Sequence, residues 1–450
     1  MLIKNATIVN EGQSFKGSVL VIGEEIKAIY HQGDNLPTDS ETLDAEGMYL
    51  LPGVIDDHVH MRDPGLTHKA DMESETLAAV AGGVTSVMDM PNVVPQTTTM
   101  ALWEERMAYA KTHCHANYAF YLGATNDNIE EIKHIDTHRI PALKLFMGSS
   151  TGGMLVDREE ALREIFRLCP TLIMTHCEST DRINQRMKEA QALYGDDPDV
   201  THHAWIRDAE ACYKSSALAV KLAKETGARL HIAHITTQKE LSLLPQMLEG
   251  SPSDAPREGQ ITAEVCPQHL FFCDEDHQTK GTLIKCNPSI KSAADREALR
   301  EALRTGLINI VGTDHAPHLL SEKEGGARKA VSGMPLVQFS LPLMLTLSAE
   351  GLCPVERIVE VMCHNPARLF QIEKRGFIRP GFKADLVLVR PDAWEVKRQD
   401  VQSKCGWSPL EGNKLKWKVV RTWVNGEEAF DEIKGTNKET IGKPLAFNTK

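Results

Sequence analysis

The chain has 450 residues, 42% of them hydrophobic and 25% charged, with a formal net charge of −12. This is the composition of an ordinary globular protein with room for one large domain and a smaller one. The acidic balance argues against a nucleic-acid surface, which needs a basic patch, but leaves anionic small substrates open, because one arginine can reverse the field of a cleft. The 10 cysteines fall without a CxxC pair, the first residues lack a signal-peptide pattern, and no apolar run reaches the roughly 18 residues of a membrane span. The expectation is a cytoplasmic protein with no nucleic-acid or membrane partner.

In chain order, residues 1–50 read as short β segments at 2–9, 17–22, 25–30 and 48–51, punctuated by Gly, Asn and Asp. From about residue 51 short apolar runs alternate with stretches of helical period, the pattern of βα units around a parallel sheet. The apolar runs are 51–58, 84–92, 116–125, 140–148, 171–178, 228–236, 261–270 and 308–317. Helix candidates lie at 68–82, 98–112, 128–135, 157–168, 203–226, 238–249, 293–304 and 335–349. Eight strands alternating with helices predict an α/β fold, a (β/α)8 TIM-like barrel over 51–366. The tail returns to β segments at 376–380, 384–389, 416–424 and 427–430, and from about Lys434 it reads as loosely held. A small β domain built from both termini, 1–50 and 367–450, is the economical arrangement.

In such a barrel the reactive groups sit at the carboxyl ends of the strands. Reading those positions gives His58 and His60 on the first strand, Asn92 on the second, Lys144 on the fourth, His176 on the fifth, His234 on the sixth and Asp314 on the eighth. Side chains two apart on a strand point the same way, so His58 and His60 can converge on one ion. Neutral imidazoles and a carboxylate suit Zn²⁺, and two such ions about 3.5–4 Å apart can hold a hydroxide between them. Lys144 fits that set if CO2 carbamylates its amine, which turns a cation into a bridging carboxylate.

The stretches Asp57-His58-Val59-His60-Met61-Arg62-Asp63-Pro64-Gly65, Met90-Pro91-Asn92, Ala142-Leu143-Lys144-Leu145-Phe146, Thr175-His176-Cys177-Glu178, Ile232-Ala233-His234-Ile235 and Gly312-Thr313-Asp314-His315-Ala316-Pro317-His318 resemble the cyclic amidohydrolases, and among them the dihydroorotase family most closely. The likeness runs to Gly381-Phe382-Lys383-Ala384-Asp385-Leu386-Val387 in the terminal β unit. It implies one zinc on His58, His60 and Asp314, a second on His176 and His234, and carboxylated Lys144 bridging them. It further implies Asp314 as the proton-transferring group, and Arg62, Asn92, Asn287 and His318 as substrate contacts. The implied reaction is reversible closure of N-carbamoyl-L-aspartate to L-dihydroorotate in pyrimidine synthesis; the expected assembly is a homodimer. Allantoinase and dihydropyrimidinase are the alternatives, set apart by substrates that lack the carboxylate Arg62 would grip and by motifs that usually lack an arginine there. A non-catalytic barrel kept as an assembly partner is the reading from another class.

The chain departs from the usual pattern at Asn287-Pro288-Ser289-Ile290-Lys291 and at Gly333-Met334-Pro335-Leu336-Val337-Gln338. Relatives that lack the lysine place an aspartate after the fourth strand, where this chain has Ser149-Ser150-Thr151-Gly152-Gly153. The polar segment 319–332 is expected to be a mobile loop at the site. His113 and His115 fall at the opposite barrel end and read as surface residues. His202 and His203 open a helix and read as structural, and His269 is a candidate neighbour of the site.

Overall fold

The computed structural model describes residues 1–148, 154–245 and 260–449. The Ser149-Ser150-Thr151-Gly152-Gly153 stretch and the end of the expected helix 238–249 lie outside them. Among the described residues the barrel strands are β1 (Val54–Val59), β2 (Val84–Asp89), β3 (Asn117–Phe120, resumed in Leu122–Gly123), β4 (Leu143–Phe146), β5 (Ile173–His176), β6 (Leu230–Ile232), β7 (Ile261–Val265) and β8 (Ile310–Val311). Each pairs in parallel with the next, as in Ser86 with Asn117, Leu143 with Leu122, Lys144 with Met174 and Val265 with Val311. A parallel bridge from Val59 to His315, with the His60 amide donating to His315 O at 2.8 Å, joins the two ends of this series and makes it a (β/α)8 barrel.

The alternation of strand side chains sorts the core. Val54, Val87, Leu143, Leu145, Ile173, Leu230 and Val311 pack outward against helices, whereas Ile55, Met88, Met174 and Ile310 fill the interior. Lys144, flanked by Leu143 and Leu145, is thereby aimed inward. The helices start where the sequence supplies caps: Asp71 accepts from the Ser74 amide at 2.8 Å, and Asp208 from Ala211 at 2.9 Å. Gly227 and Gly306 close two of them in the left-handed conformation, at φ of 76° and 88°.

The termini do pair. In the terminal sheet Tyr49–Pro52 lies between Leu2–Asn10, with Thr7 opposite Tyr49, and Leu386–Glu395, with Val387 opposite Leu51. Leu51 and Pro52 therefore belong to this sheet, and the first barrel strand starts after Gly53, where a Cβ would fall 2.1 Å from Thr85 Oγ1.

Several expectations are corrected. The run 261–270 is a strand only to Val265, because Pro267 opens the short helix Pro267–Phe271. Residues 376–380 form no strand. The helix Thr180–Tyr194 was not expected: only Ile183 and Ala190 of its residues are buried, too few to print a period. The tail is not loosely held. Tyr118 donates to Lys443 O at 3.0 Å, the Leu445 amide donates to Tyr118 O at 2.9 Å, and Leu445 and Phe447 are buried beneath the barrel.

Candidate metal centre and active site

One cavity at the carboxyl ends of the strands is lined by His58, His60, Arg62, Asn92, Lys144, His176, His234, Asn287 and Asp314, with Phe146, Ala316, Ser332 and Gly333. Nine of the ten site residues expected from the sequence thus meet in one place. His318 does not line it. It stands behind Arg62, with Nε2 accepting from Arg62 Nη2 at 2.9 Å and Nδ1 at 3.2 Å from Lys69 Nζ, so it positions the guanidinium instead of facing the cavity.

The imidazoles are oriented by partners on neighbouring strands. His58 Nδ1 donates to Glu264 Oε1 at 2.9 Å, and His60 Nδ1 donates to Asn92 Oδ1 at 2.8 Å. With both Nδ1 atoms spent as donors, both Nε2 lone pairs face Asp314 Oδ1, at 3.4 and 3.0 Å. Burial pushes His58 down to about 3 and His60 down to about 4, so each is a neutral ligand. Burial opposes ionisation of Asp314, but its neighbours His58, His60 and Lys144 hold its carboxyl well below the usual range. Three lone-pair donors facing one another within 4.8 Å call for a cation.

The other half of the site has the same character. His176 Nδ1 lies 3.0 Å from His234 Nε2, and the buried His234 Nδ1 has no hydrogen-bond partner. Lys144 is fully buried, its Nζ without a hydrogen-bond partner and 5.3 Å from the Phe146 ring centre. Burial drives its pKa down. An isolated ammonium among imidazoles is the costliest way to fill this position. These orphaned donors fit a metal centre in which Lys144 is anionic.

Arg62, His234 and Asp314 hold positive φ of 66°, 35° and 48°, a conformation that side-chain-bearing residues seldom adopt. The surrounding bonds impose it. Asp56 accepts from the Thr313 amide at 3.0 Å, the Thr313 hydroxyl at 2.7 Å and the His58 amide at 3.2 Å, tying β1 to the end of β8. Arg62 Nε donates to Pro317 O at 3.1 Å, which aims the guanidinium at the cavity.

Sequence reasoning missed Glu264. It supports His58 through its side chain and also accepts from the His234 amide at 2.9 Å. The signal was a lone acid in the apolar run Ile261-Thr262-Ala263-Glu264-Val265. Glu178 was missed too: buried, it pairs with Arg207 Nη2 at 2.5 Å and lies 3.1 Å from His176 Nε2. His269 is buried, with Nε2 3.2 Å from Pro288 O, beside the Asn287 turn. His115 is not a surface residue: it is buried and bonded to Thr440 O at 2.8 Å, whereas His113 is half-buried and stacks on Tyr109. His203 is buried and opens the helix His203–Ile206. The segment 319–332 packs over the site. Lys323 Nζ donates to the carbonyls of Lys285, Val331 and Gly333 at 2.7–3.1 Å.

A parallel barrel with histidines, a lysine and an aspartate converging at its carboxyl rim defines the class of barrel hydrolases that work through bound metal. The chain belongs to the amidohydrolase family, whose model matches residues 49–429. It is 36% identical to a dihydroorotase of Halobacterium salinarum over 86% of this chain and 88% of that one. It is 33% identical to a dihydroorotase of Methanosarcina acetivorans, over 91% and 88%. Among solved structures it is similar to an L-hydantoinase (dihydropyrimidinase) from Arthrobacter aurescens, with a TM-score of 0.91, 28% identity and 99% of both chains covered.

Proposed function

We propose that this chain is a zinc-dependent dihydroorotase, acting in the cytoplasm on L-dihydroorotate and N-carbamoyl-L-aspartate within pyrimidine synthesis. The observation that carries this reading is Arg62, a buried guanidinium on the wall of the cavity beside His60 and Asp314. A planar guanidinium grips a carboxylate through two parallel hydrogen bonds, and dihydroorotate differs from a plain dihydropyrimidine by its exocyclic carboxylate. The dihydroorotase relatives at 36% and 33% identity support the same choice. The unit 51–366 carries the chemistry, flanked by 1–50 and 367–450, and a homodimer is the assembly we propose.

His58, His60 and Asp314 would hold one zinc, His176 and His234 a second, with Lys144 as a carbamate between them. Zinc bound there supplies Lewis acidity toward the ring amide carbonyl and lowers the pKa of water to near neutrality. Asp314 is held ionised and lines the cavity. It takes the proton from the attacking water and returns it to the departing ring nitrogen; in the closing direction it takes the ureido proton. Arg62, held by Pro317 O and His318, fixes the carboxylate. Asn92, already engaged by His60, and Asn287, whose buried Oδ1 has no hydrogen-bond partner, supply polar contacts to the ring.

The hydantoinase-type neighbours favour a second reading, a hydrolase of carboxylate-free cyclic amides. The two are separated by assaying the metal-loaded protein against dihydroorotate, dihydrouracil, hydantoin and allantoin. Turnover of dihydroorotate at least about 10-fold above the others is expected from one lost bidentate charge contact. Ring opening of dihydrouracil or allantoin without turnover of dihydroorotate would overturn the assignment.

A further inference from the structure

At the opposite end of the barrel lies a cavity of 710 Å³ that the catalytic reading does not use. It opens at the amino ends of β5 and β6, where Thr171 and Arg229 immediately precede the strands. Its lining carries five cations, Arg229, Arg368, Lys374, Arg375 and Arg379, and no carboxylate among the described residues. In a chain of net charge −12 such a concentration is a local reversal of field.

Several of these groups are held by partners, Arg368 among them, whose Nη1 donates to Asn365 Oδ1 at 3.4 Å. Arg375 pairs with Asp385, and Arg379 donates through Nε to Glu11 at 3.1 Å, but both acids stand behind the cavity wall. Arg229 Nη2 reaches only a backbone carbonyl, Leu369 O at 2.7 Å, and its buried Nε has no hydrogen-bond partner. The floor is apolar, made by Ile372, Ala367 and Phe377, with the Arg379 and Arg368 guanidinium carbons 4.3 and 5.1 Å from the Phe377 ring centre. Stacking fixes both guanidinium planes at the floor. On the rim, Gln371 and Lys374 hold positive φ of 59° and 50°, strain of the kind that collects at ligand sites.

We propose that this cavity binds a small phosphate monoester, up to the size of a mononucleotide. Forked guanidiniums match the oxygens of a phosphate in pairs, and Arg229 meets no carboxylate among the described residues. The volume falls within the range of about 300–1,000 Å³ typical of small-molecule pockets. The site is separate from the catalytic cavity, and β5 and β6 run from it to His176 and His234 at their far ends.

The test is calorimetric titration of the full-length, metal-loaded protein in chloride buffer with inorganic phosphate, uridine monophosphate and adenosine monophosphate. Binding of one mononucleotide per chain is expected, weakened about tenfold or more in Arg229→Gln and again in Arg368→Gln, with Arg62→Gln without effect. Arg229→Lys, which keeps charge but loses the fork, falls between. If these half-buried variants do not fold, the exposed Lys374→Glu places a repelling carboxylate on the rim and is expected to weaken binding. Absence of binding at millimolar ligand, affinity unchanged in the variants, or affinity lost in Arg62→Gln each overturns the proposal. The first two deny the site, and the third assigns the anion to the catalytic cavity. The reading of dihydroorotate turnover is untouched by any of these outcomes, because none measures it.

Discussion

Arg62 and Glu264 divide the work of the site between recognition and support. The Arg62 side chain is 5% exposed and its Nε and Nη2 are spent on Pro317 O and His318, so the fork reaches the cavity already oriented. Replacing Arg62 by Gln removes a charged bidentate contact worth about 1.5–3 kcal/mol. That corresponds to roughly 10–150-fold in kcat/KM for dihydroorotate, falling mainly on KM, while any residual turnover of dihydrouracil stays level. Steady-state kinetics on both substrates checks it, and an equal loss on both would remove Arg62 from carboxylate recognition. Glu264 touches no substrate. Its carboxylate fixes the His58 tautomer and the His234 backbone together, so Glu264→Gln is expected to lower zinc affinity about 10–100-fold, read by metal content after dialysis against a weak chelator.

At the scale of elements, the barrel was legible because each strand is an apolar run broken by one polar residue where the chain leaves the sheet. His58, Lys144, His176 and His234 declared themselves by that interruption. Glu264 broke a run in the same way but was passed over, because its partner His58 is 206 positions away in the chain. The helix Thr180–Tyr194 escaped because it lies on the surface and buries just two side chains. The tail misled for the opposite reason: its polar composition hides two anchors, Leu445 and Phe447, each 3% exposed among Ile372, Phe377 and Leu369. Phe447→Ala should therefore cost about 3–5 kcal/mol, the usual loss for a buried Phe. Denaturant unfolding reads that loss, whereas a loosely held tail would show a change near zero.

At the scale of the whole molecule, the candidate ligands come from β1, β4, β5 and β6 and from the end of β8, so one metal centre would stitch together strands from most of the barrel circumference. The two ends of that series meet through the Val59–His315 bridge, the His60 and His315 backbone bonds and the Asp56–Thr313 contacts. A ligand that binds only the folded state stabilises it by mass action, by about 4 kcal/mol when present at a thousand times its dissociation constant. Stripping metal with a chelator should therefore abolish turnover and lower the unfolding temperature together. Because a carbamate forms from the amine and CO2 with release of a proton, zinc and bicarbonate added together should restore the wild type more fully than zinc in CO2-free buffer. Lys144→Ala should show no such dependence on bicarbonate, and should keep less zinc than the wild type. Equal recovery of the wild type with and without bicarbonate, or unchanged zinc content and activity in Lys144→Ala, would leave His58, His60, His176, His234 and Asp314 to carry the metal without the lysine.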